Sequence, residues 1–233
     1  MDVMLVIAGA LTGLVVGLTG VSDGALMAPL LLLFFDVALL TAVGTDLWFA
    51  ATTKLFATRI HHRHGSLDWQ IAKRLWWGGL PASAATLYWL GVQPVSDGMM
   101  GLKKVAIARA VIIAALGMLF QSPLHALGRR LRTTEAAQFK AMQVPLTILA
   151  GAILGLLVTA TSVGAGALGA VFFVYLYPLR LTPPRLIATD IVHAIPLAVF
   201  AGLGHLAMGN VKFDLLANLL VGSIPAVIVG ATL

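Results

Sequence analysis

Long apolar runs separated by short polar segments dominate the chain. The runs lie at about 3 to 19, 24 to 36, 41 to 58, 71 to 90, 104 to 120, 142 to 160, 165 to 178, 185 to 205 and 213 to 232. A helix needs roughly 20 residues to cross a bilayer, so most of these runs are long enough or nearly so. The second and seventh runs are short, which indicates half-helices or tilted spans. The pattern predicts an all-α polytopic membrane protein.

Two glycine-rich breaks interrupt the apolar sequence. The first lies in GLTGVSDGALMAP, residues 17 to 29, and the second in TATSVGAGALGA, residues 159 to 170. A break inside lipid is tolerated only where protein buries its backbone or water reaches it. The freed N–H groups at the start of the next half-helix can hold an anion. The breaks therefore indicate a binding cavity, although glycines that only allow close helix crossing are an alternative.

The chain carries two copies of one pattern. Residues 9–16 recur as residues 151–158, at an offset of 142. Further along, Thr45-Asp46 recurs as Thr189-Asp190, at an offset of 144. Because these matches occur in order and nearly in register, they indicate an internal duplication, in which each copy contains one glycine-rich break.

The duplication predicts two membrane repeats joined by a polar cytoplasmic linker. We expect the first repeat at 1–120, the linker at 121–141 and the second repeat at 142–233. The second copy has no counterpart of the run at 104 to 120, so it is shorter than the first copy. Either a natural shortening or a truncation of the sequence would explain this difference. A homo-oligomer would cover the face that lacks this helix.

Positive charge predicts the orientation of the repeats. If each break is a hairpin, 10 Lys and Arg residues fall on one side and 3 on the other. If each break is a kink in one long span, the division is 8 against 5. The positive-inside rule favours the hairpins and places the richer side in the cytoplasm. Each full repeat then has five elements, an odd number, so the two repeats are inverted and the N-terminus lies outside.

Composition narrows the classes of function. Hydrophobic residues make up 60% of the chain and charged residues 10%, and the basic residues lie mostly in short loops, so nucleic-acid binding is not expected. Cysteine is absent, which excludes disulfides and thiolate metal sites. No Walker A loop, nucleophile elbow or zinc-protease motif is present, so we expect no enzyme activity, no cofactor and no metal.

Polar residues in the apolar sequence are the candidates for transport chemistry. Asp46 and Asp190 each follow a threonine a few residues into an apolar helix, where an ionised carboxylate is costly. They are predicted to carry protons, with His193 one turn after Asp190 and with Asp23 in the first break. The alternatives are interfacial helix starts for the aspartates and a satisfied buried ring for the histidine. The break positions predicted to bind the substrate are Thr19, Ser22, Gly24, Thr161, Ser162 and Gly166.

Three further residues are weaker candidates for substrate contacts. Thr45 and Thr189 precede the two aspartates of the repeated pair. Lys54 lies five residues before Arg59 and could meet an anion in the cavity. A lysine so close to a loop more often extends to the membrane interface, and we favour that interpretation.

Several of these segments resemble one family. The segments 17–33, 41–46, 162–166 and 188–190 are similar to the TauE/SafE sulfite exporters, also called TSUP anion permeases. The resemblance implies a secondary carrier in a bacterial or archaeal inner membrane that exports sulfite, sulfoacetate or a related organosulfonate. The family has a run of glycines at the first break, where this chain has Ser22-Asp23. Asp23 would repel an anion unless it is protonated, caps the helix, or accompanies an altered substrate.

Two hypotheses follow. The first is a carrier for a small anion within the lipid bilayer, with protons as coupling ions. The second is a non-transporting membrane scaffold or assembly factor. A scaffold should tolerate loss of the Thr-Asp pairs as long as it folds, whereas a carrier should lose turnover.

Overall fold

All regular structure in the described part of the chain is helical. The computed structural model describes residues 2–19, 27–61, 67–92, 136–164, 166–177 and 180–232, with residues 105, 108, 109 and 112. The main helices are α1 (Val3–Thr19), α2 (Met27–Phe34), α3 (Leu39–His61), α4 (Trp69–Val92), α5 (Ala136–Thr161), α6 (Ala167–Leu176), α7 (Pro183–Ala207) and α8 (Phe213–Thr232).

The helices confirm the predicted all-α class and differ from the prediction at some ends. At 1.5 Å per residue, α2 and α6 are only about 12 and 15 Å long, so neither crosses a bilayer alone. α5 begins inside the predicted linker, because residues 136–144 contain neither glycine nor proline to stop a helix. Most of the predicted run at 104 to 120 lies outside the described residues.

Three of the described helices are long and apolar enough to cross a membrane by themselves. These stretches are Met142–Thr161, Pro184–Ala207 and Phe213–Gly230. α1 is apolar but shorter. α3 is long, but Thr45, Asp46 and Lys54 interrupt its apolar sequence, and all three side chains are buried. The protein is thus a multi-pass membrane protein with polar groups inside one of its central helices.

Close helix pairs organise the bundle. α1 packs along α8, α4 packs along α5, and α3 packs against α7 between them. In the α4–α5 pair, Gly151 faces the backbone of Leu75 so closely that a Cβ would collide with it. Gly9 faces the backbone of Leu219 in the same way in the α1–α8 pair. Glycine is needed at these positions because it lets two helix backbones approach.

We expect Gly78→Ala to destabilise the α4–α5 pair. A Cβ at Gly78 would collide with the carbonyl oxygen of Ile148, and overpacking of this kind costs about 1–3 kcal/mol. Gly91→Ala on the same helix is the control, since its Cβ would meet Met208 Sδ at an ordinary 3.5 Å. Both changes replace glycine by the better helix former alanine on the same helix. Thermal unfolding in detergent should therefore separate them, and equal melting temperatures would contradict the packing argument.

Candidate functional site

The second break forms where α5 ends and α6 begins. Ser162 and Gly164 follow α5 with φ values of 61° and 118°, both in the left-handed region. Glycine adopts this region freely, whereas a residue with a Cβ pays roughly 1–2 kcal/mol for it. The chain therefore leaves the helix at Ser162 against a local conformational cost.

Hydrogen bonds inside the protein satisfy several polar groups of the described part of this break. The Thr161 hydroxyl donates to the Leu157 carbonyl at 2.7 Å and accepts from the Val163 N–H at 3.1 Å. His205 Nε2 lies 2.9 Å from the Thr159 carbonyl oxygen. This pairing meets the requirement that backbone groups at membrane depth find partners within the protein. The Thr161 hydroxyl, predicted to contact the substrate, is thus engaged within the break.

Asp46 connects the second break to the short helix of the first half. Its Oδ2 accepts a hydrogen bond from the Ser162 hydroxyl at 2.7 Å, and the side chain is 0% exposed. The backbone N–H of Ala28, in the first turn of α2, interacts with the same carboxylate. A carboxylate is favourable at this positive helix end. In the described part of the chain, Oδ1 has no hydrogen-bond partner, so one oxygen remains for a proton or another donor.

Asp190 occupies a related place on α7 with a different partner. Its Oδ2 lies 3.9 Å from Lys54 Nζ, and both side chains are almost fully buried. Gly169 of α6 faces Asp190 Oδ1 so closely that a Cβ there would crowd the carboxylate. The favoured interpretation of Lys54 as an interfacial residue is wrong: the ion pair holds it inside, and α3 continues to His61.

His193 lies one turn after Asp190 and is fully buried. Neither Nδ1 nor Nε2 has a hydrogen-bond partner among the described residues. Nε2 lies 3.7 Å from the place where a Cβ would stand on Gly79 of α4. A satisfied buried histidine was the alternative to a functional role, but here the ring is buried without being satisfied. Such a group carries a desolvation cost that a ligand or water could offset.

The two threonines of the repeated pair anchor helix starts. Thr45 Oγ1 accepts a hydrogen bond from the Lys212 N–H, just before α8, at 3.3 Å. Thr189 Oγ1 accepts one from the Asp68 N–H, just before α4, at 3.2 Å and donates to the Arg185 carbonyl at 2.7 Å. Both threonines are fully buried. The Thr189 hydroxyl both accepts and donates within the protein, so a substrate contact there would require a rearrangement, whereas the Thr45 hydroxyl is used as an acceptor.

An ion-pair cluster at Asp68 was missed from the sequence. Arg180 Nε lies 2.6 Å from Asp68 Oδ2, Arg180 Nη2 lies 3.0 Å from Oδ1, and Arg185 Nη2 lies 3.3 Å from Oδ2. The Asp68 side chain is 2% exposed. Both arginines had been counted only as topology signals. The cluster ties the start of α4 to the loop before α7 and to the first turns of α7.

Part of the predicted site lies outside the described residues. Ser22, Asp23 and Gly24 lie outside the described residues, and Thr19 ends α1 without a described side chain. Gly166 is buried directly before α6, and its carbonyl accepts a hydrogen bond from the Ala170 N–H at 2.9 Å. The roles of the first break therefore stay predictions.

A cavity of about 200 Å³ lies beside the second break. Its walls come from α2, from the start of α3 and from the break itself, and nearly all of the exposed wall is apolar. The lining residues are Ala28, Pro29, Leu32, Leu33, Leu39, Val43, Thr161 and Val163. The neighbouring residues Ala28 and Ser162 both contact Asp46, so this space adjoins the carboxylate.

These features define a class of protein. Helices interrupted by a break, with ionisable side chains buried beside it, are typical of secondary membrane transporters. Comparison with known families agrees. The family described as "Sulfite exporter TauE/SafE" matches residues 5–233. The chain belongs to the TauE/SafE sulfite exporter family; it is a membrane transporter and not an enzyme.

Two curated relatives support this assignment. "Probable membrane transporter protein YjnA" of Bacillus subtilis (strain 168) is 33% identical over 238 residues, covering 100% of this chain and 90% of the relative. "Probable membrane transporter protein YdhB" of the same organism is 28% identical over 233 residues, covering 98% and 88%. No solved structure matches the chain.

Proposed function

We propose that the protein is a secondary carrier that exports a small sulfur-containing anion, such as sulfite, sulfoacetate or a related organosulfonate, across a bacterial inner membrane with protons as coupling ions. The anion class rests on the description of the family. The coupling rests on one observation above all: the buried Asp46 carboxylate joins the second break to the first turn of α2.

An inverted repeat would explain the packing of the bundle. The first helix of each proposed repeat pairs with the fourth helix of the other, α1 with α8 and α5 with α4. The close contacts correspond in detail. Gly9 and Gly151 differ by the offset of 142, and the residues they face, Leu219 and Leu75, differ by 144. A two-fold axis in the membrane plane would generate this exchange of partners and would place the binding region between the repeats.

Asp46 and Asp190 are suited to carry protons in such a carrier. Each is buried, and each lies against a short helix, α2 for Asp46 and α6 for Asp190. A proton that neutralises either carboxylate would weaken its hold on the short helix. Proton binding could thus loosen the contact between a break and its neighbouring helix, which alternating access requires.

Flux into proteoliposomes tests this function. We expect saturable uptake of sulfite or sulfoacetate that increases when a pH gradient is imposed. Thiosulfate and sulfate serve as competitors, and empty liposomes give the background. If none of these anions shows saturable flux, the anion assignment fails. If flux is saturable but independent of the pH gradient, the protein transports the anion and the proposal of proton coupling is wrong.

A further inference from the structure

Two buried ionisable residues of α3 and α7 have an apolar residue at the matching position of the other copy of the pattern. At the offset of 144, Lys54 corresponds to Ala198 and His193 corresponds to Phe49. Both polar side chains are buried; Asp190 pairs with Lys54 and stands one helical turn before His193. Residues that a duplicated scaffold alone requires should recur in both copies. These two do not recur, so their burial calls for a specific role.

We propose that Lys54 and His193 form the binding site for the oxyanion of the substrate, and that the carboxylate of Asp190 occupies this site when no substrate is bound. The inference rests on the proposed function and deepens it, since it names the residues that recognise the anion. The anion would exchange places with Asp190 beside the lysine.

The hydrogen bonds of the other predicted donors, the hydroxyls at the second break, support an anion site at Lys54 and His193. The Ser162 hydroxyl donates a hydrogen bond to the Asp46 carboxylate, and the Thr161 hydroxyl donates one to the Leu157 carbonyl. By contrast, both ring nitrogens of His193 lack hydrogen-bond partners in the described part of the chain. An imidazole always carries at least one N–H, so the buried ring offers a donor. Oxyanions are held by such donors together with a cation.

Lys54 supplies the cation. It is 2% exposed, whereas the side chains of Arg180 and Arg185, the arginines paired with Asp68, are 41% and 33% exposed. Its Nζ lies 3.9 Å from Asp190 Oδ2, at the outer limit for an ion pair. This pair compensates the charge of the buried lysine.

Two glycines lie beside the proposed anion site formed by Lys54 and His193 with Asp190. Gly79 faces His193 Nε2, and Gly169 faces Asp190 Oδ1. Each position lacks a side chain, and a Cβ at Gly169 would crowd the carboxylate. The surroundings therefore suit a compact group such as a sulfite or sulfonate head rather than a bulky anion.

Binding an anion beside Asp190 requires a proton. Lys54 faces Asp190 from α3, and α6 presents the backbone of Gly169 there. α5 carries one charged residue, Lys140, before its apolar span, and α6 carries none. Among the described side chains, the other charged groups around α7 lie at the second break or near the helix starts. They are Asp46 on α3, Lys73 and Arg74 on α4, and Asp68 with Arg180 and Arg185. When Asp190 accepts a proton, Lys54 pairs with the anion, so one monovalent anion and one proton bind without adding net charge.

The test measures KM and kcat for sulfite uptake by the full chain in proteoliposomes. The variant Lys54→Met with Asp190→Asn removes both charges of the pair together. His193→Leu removes the ring donor, and His193→Gln keeps an N–H donor. Lys73→Met, a change on the wall of a surface groove, is the control for loss of a lysine. We expect KM to rise roughly tenfold to a hundredfold in the double variant and in His193→Leu, as charge-assisted hydrogen bonds are lost.

The KM values of the other variants distinguish a role of these residues in binding the anion from a role in stabilising the fold. His193→Gln should keep KM closer to that of the parent protein than His193→Leu does. KM of the parent should fall more steeply on acidification than KM of the double variant; sulfite titrates identically in both assays, so the difference reports Asp190. Unchanged KM in His193→Leu would overturn the site, even if the double variant does not fold. Lower kcat at constant KM would also overturn it. Absence of any saturable flux in the parent protein would instead overturn the proposed function and the site together.

Discussion

Asp190→Asn alone should greatly reduce the amount of folded protein, and adding Lys54→Met should restore it. Removing one member of a buried ion pair leaves an uncompensated charge, which costs about 3–5 kcal/mol, whereas removing both is often nearly neutral. Lys54 and Asp190 are 2% and 4% exposed, so solvent does little to screen the charge that remains. Thermal unfolding in detergent and the yield of monodisperse protein measure the effect.

A double-mutant cycle makes this prediction quantitative. The coupling free energy between the two positions should be favourable and larger than the roughly 0.2–1 kcal/mol that exposed pairs give. Lys73→Met is the matched control, because it also removes a lysine but should change stability little. Single variants as stable as the parent protein would show that the pair does not hold these helices together. The double variant should regain its fold without regaining affinity for the anion.

Asp46→Asn should reduce transport to the level of empty liposomes while the protein still folds. The asparagine oxygen can accept the hydrogen bond from Ser162, so the link between α3 and the break is preserved. The amide cannot take up or release a proton, so any step that depends on the charge of this side chain stops. Uptake of sulfite under an imposed pH gradient is the measurement, with melting temperature recorded on the same preparation.

Ser162 provides the matched control for Asp46. Ser162→Gly removes the hydroxyl but relieves the left-handed conformation at φ 61°, so the two effects on stability oppose each other. Because Asp46 keeps its carboxyl group, this variant should retain coupled uptake at a reduced rate. Full activity of Asp46→Asn would remove this carboxylate from the coupling mechanism, whatever the behaviour of Ser162→Gly.

The helices and their polar interruptions were readable from the sequence because they depend on local patterns. Apolar length predicts a membrane helix, and an aspartate within such a run predicts a buried functional carboxylate. Asp46, Asp190 and His193 are predicted in this way; the structure shows that all three are buried, and their functions stay predictions. The family resemblance rested on similarly local segments and is confirmed.

The pairing of these residues could not be predicted, because it joins distant parts of the chain. Ser162 and Asp46 are 116 residues apart, and Asp68 and Arg180 are 112 residues apart. Lys54 was misjudged for the same reason: its spacing to the next loop was visible, but its partner on α7 was not. A rule based on distance from a helix end cannot account for a carboxylate supplied by another helix.

The pairing of α1 with α8 also constrains how the protein is made. α1 leaves the ribosome before all the other described helices, yet the helix it packs along is α8, at the far end of the described chain. α4 and α5, by contrast, are consecutive among the described helices, so their contact can form earlier. Throughout synthesis the glycine face of α1 therefore meets lipid or a temporary neighbour. We expect the α1–α8 contact to form only after α8 inserts, so that a product stalled before α8 would expose this face to membrane quality control.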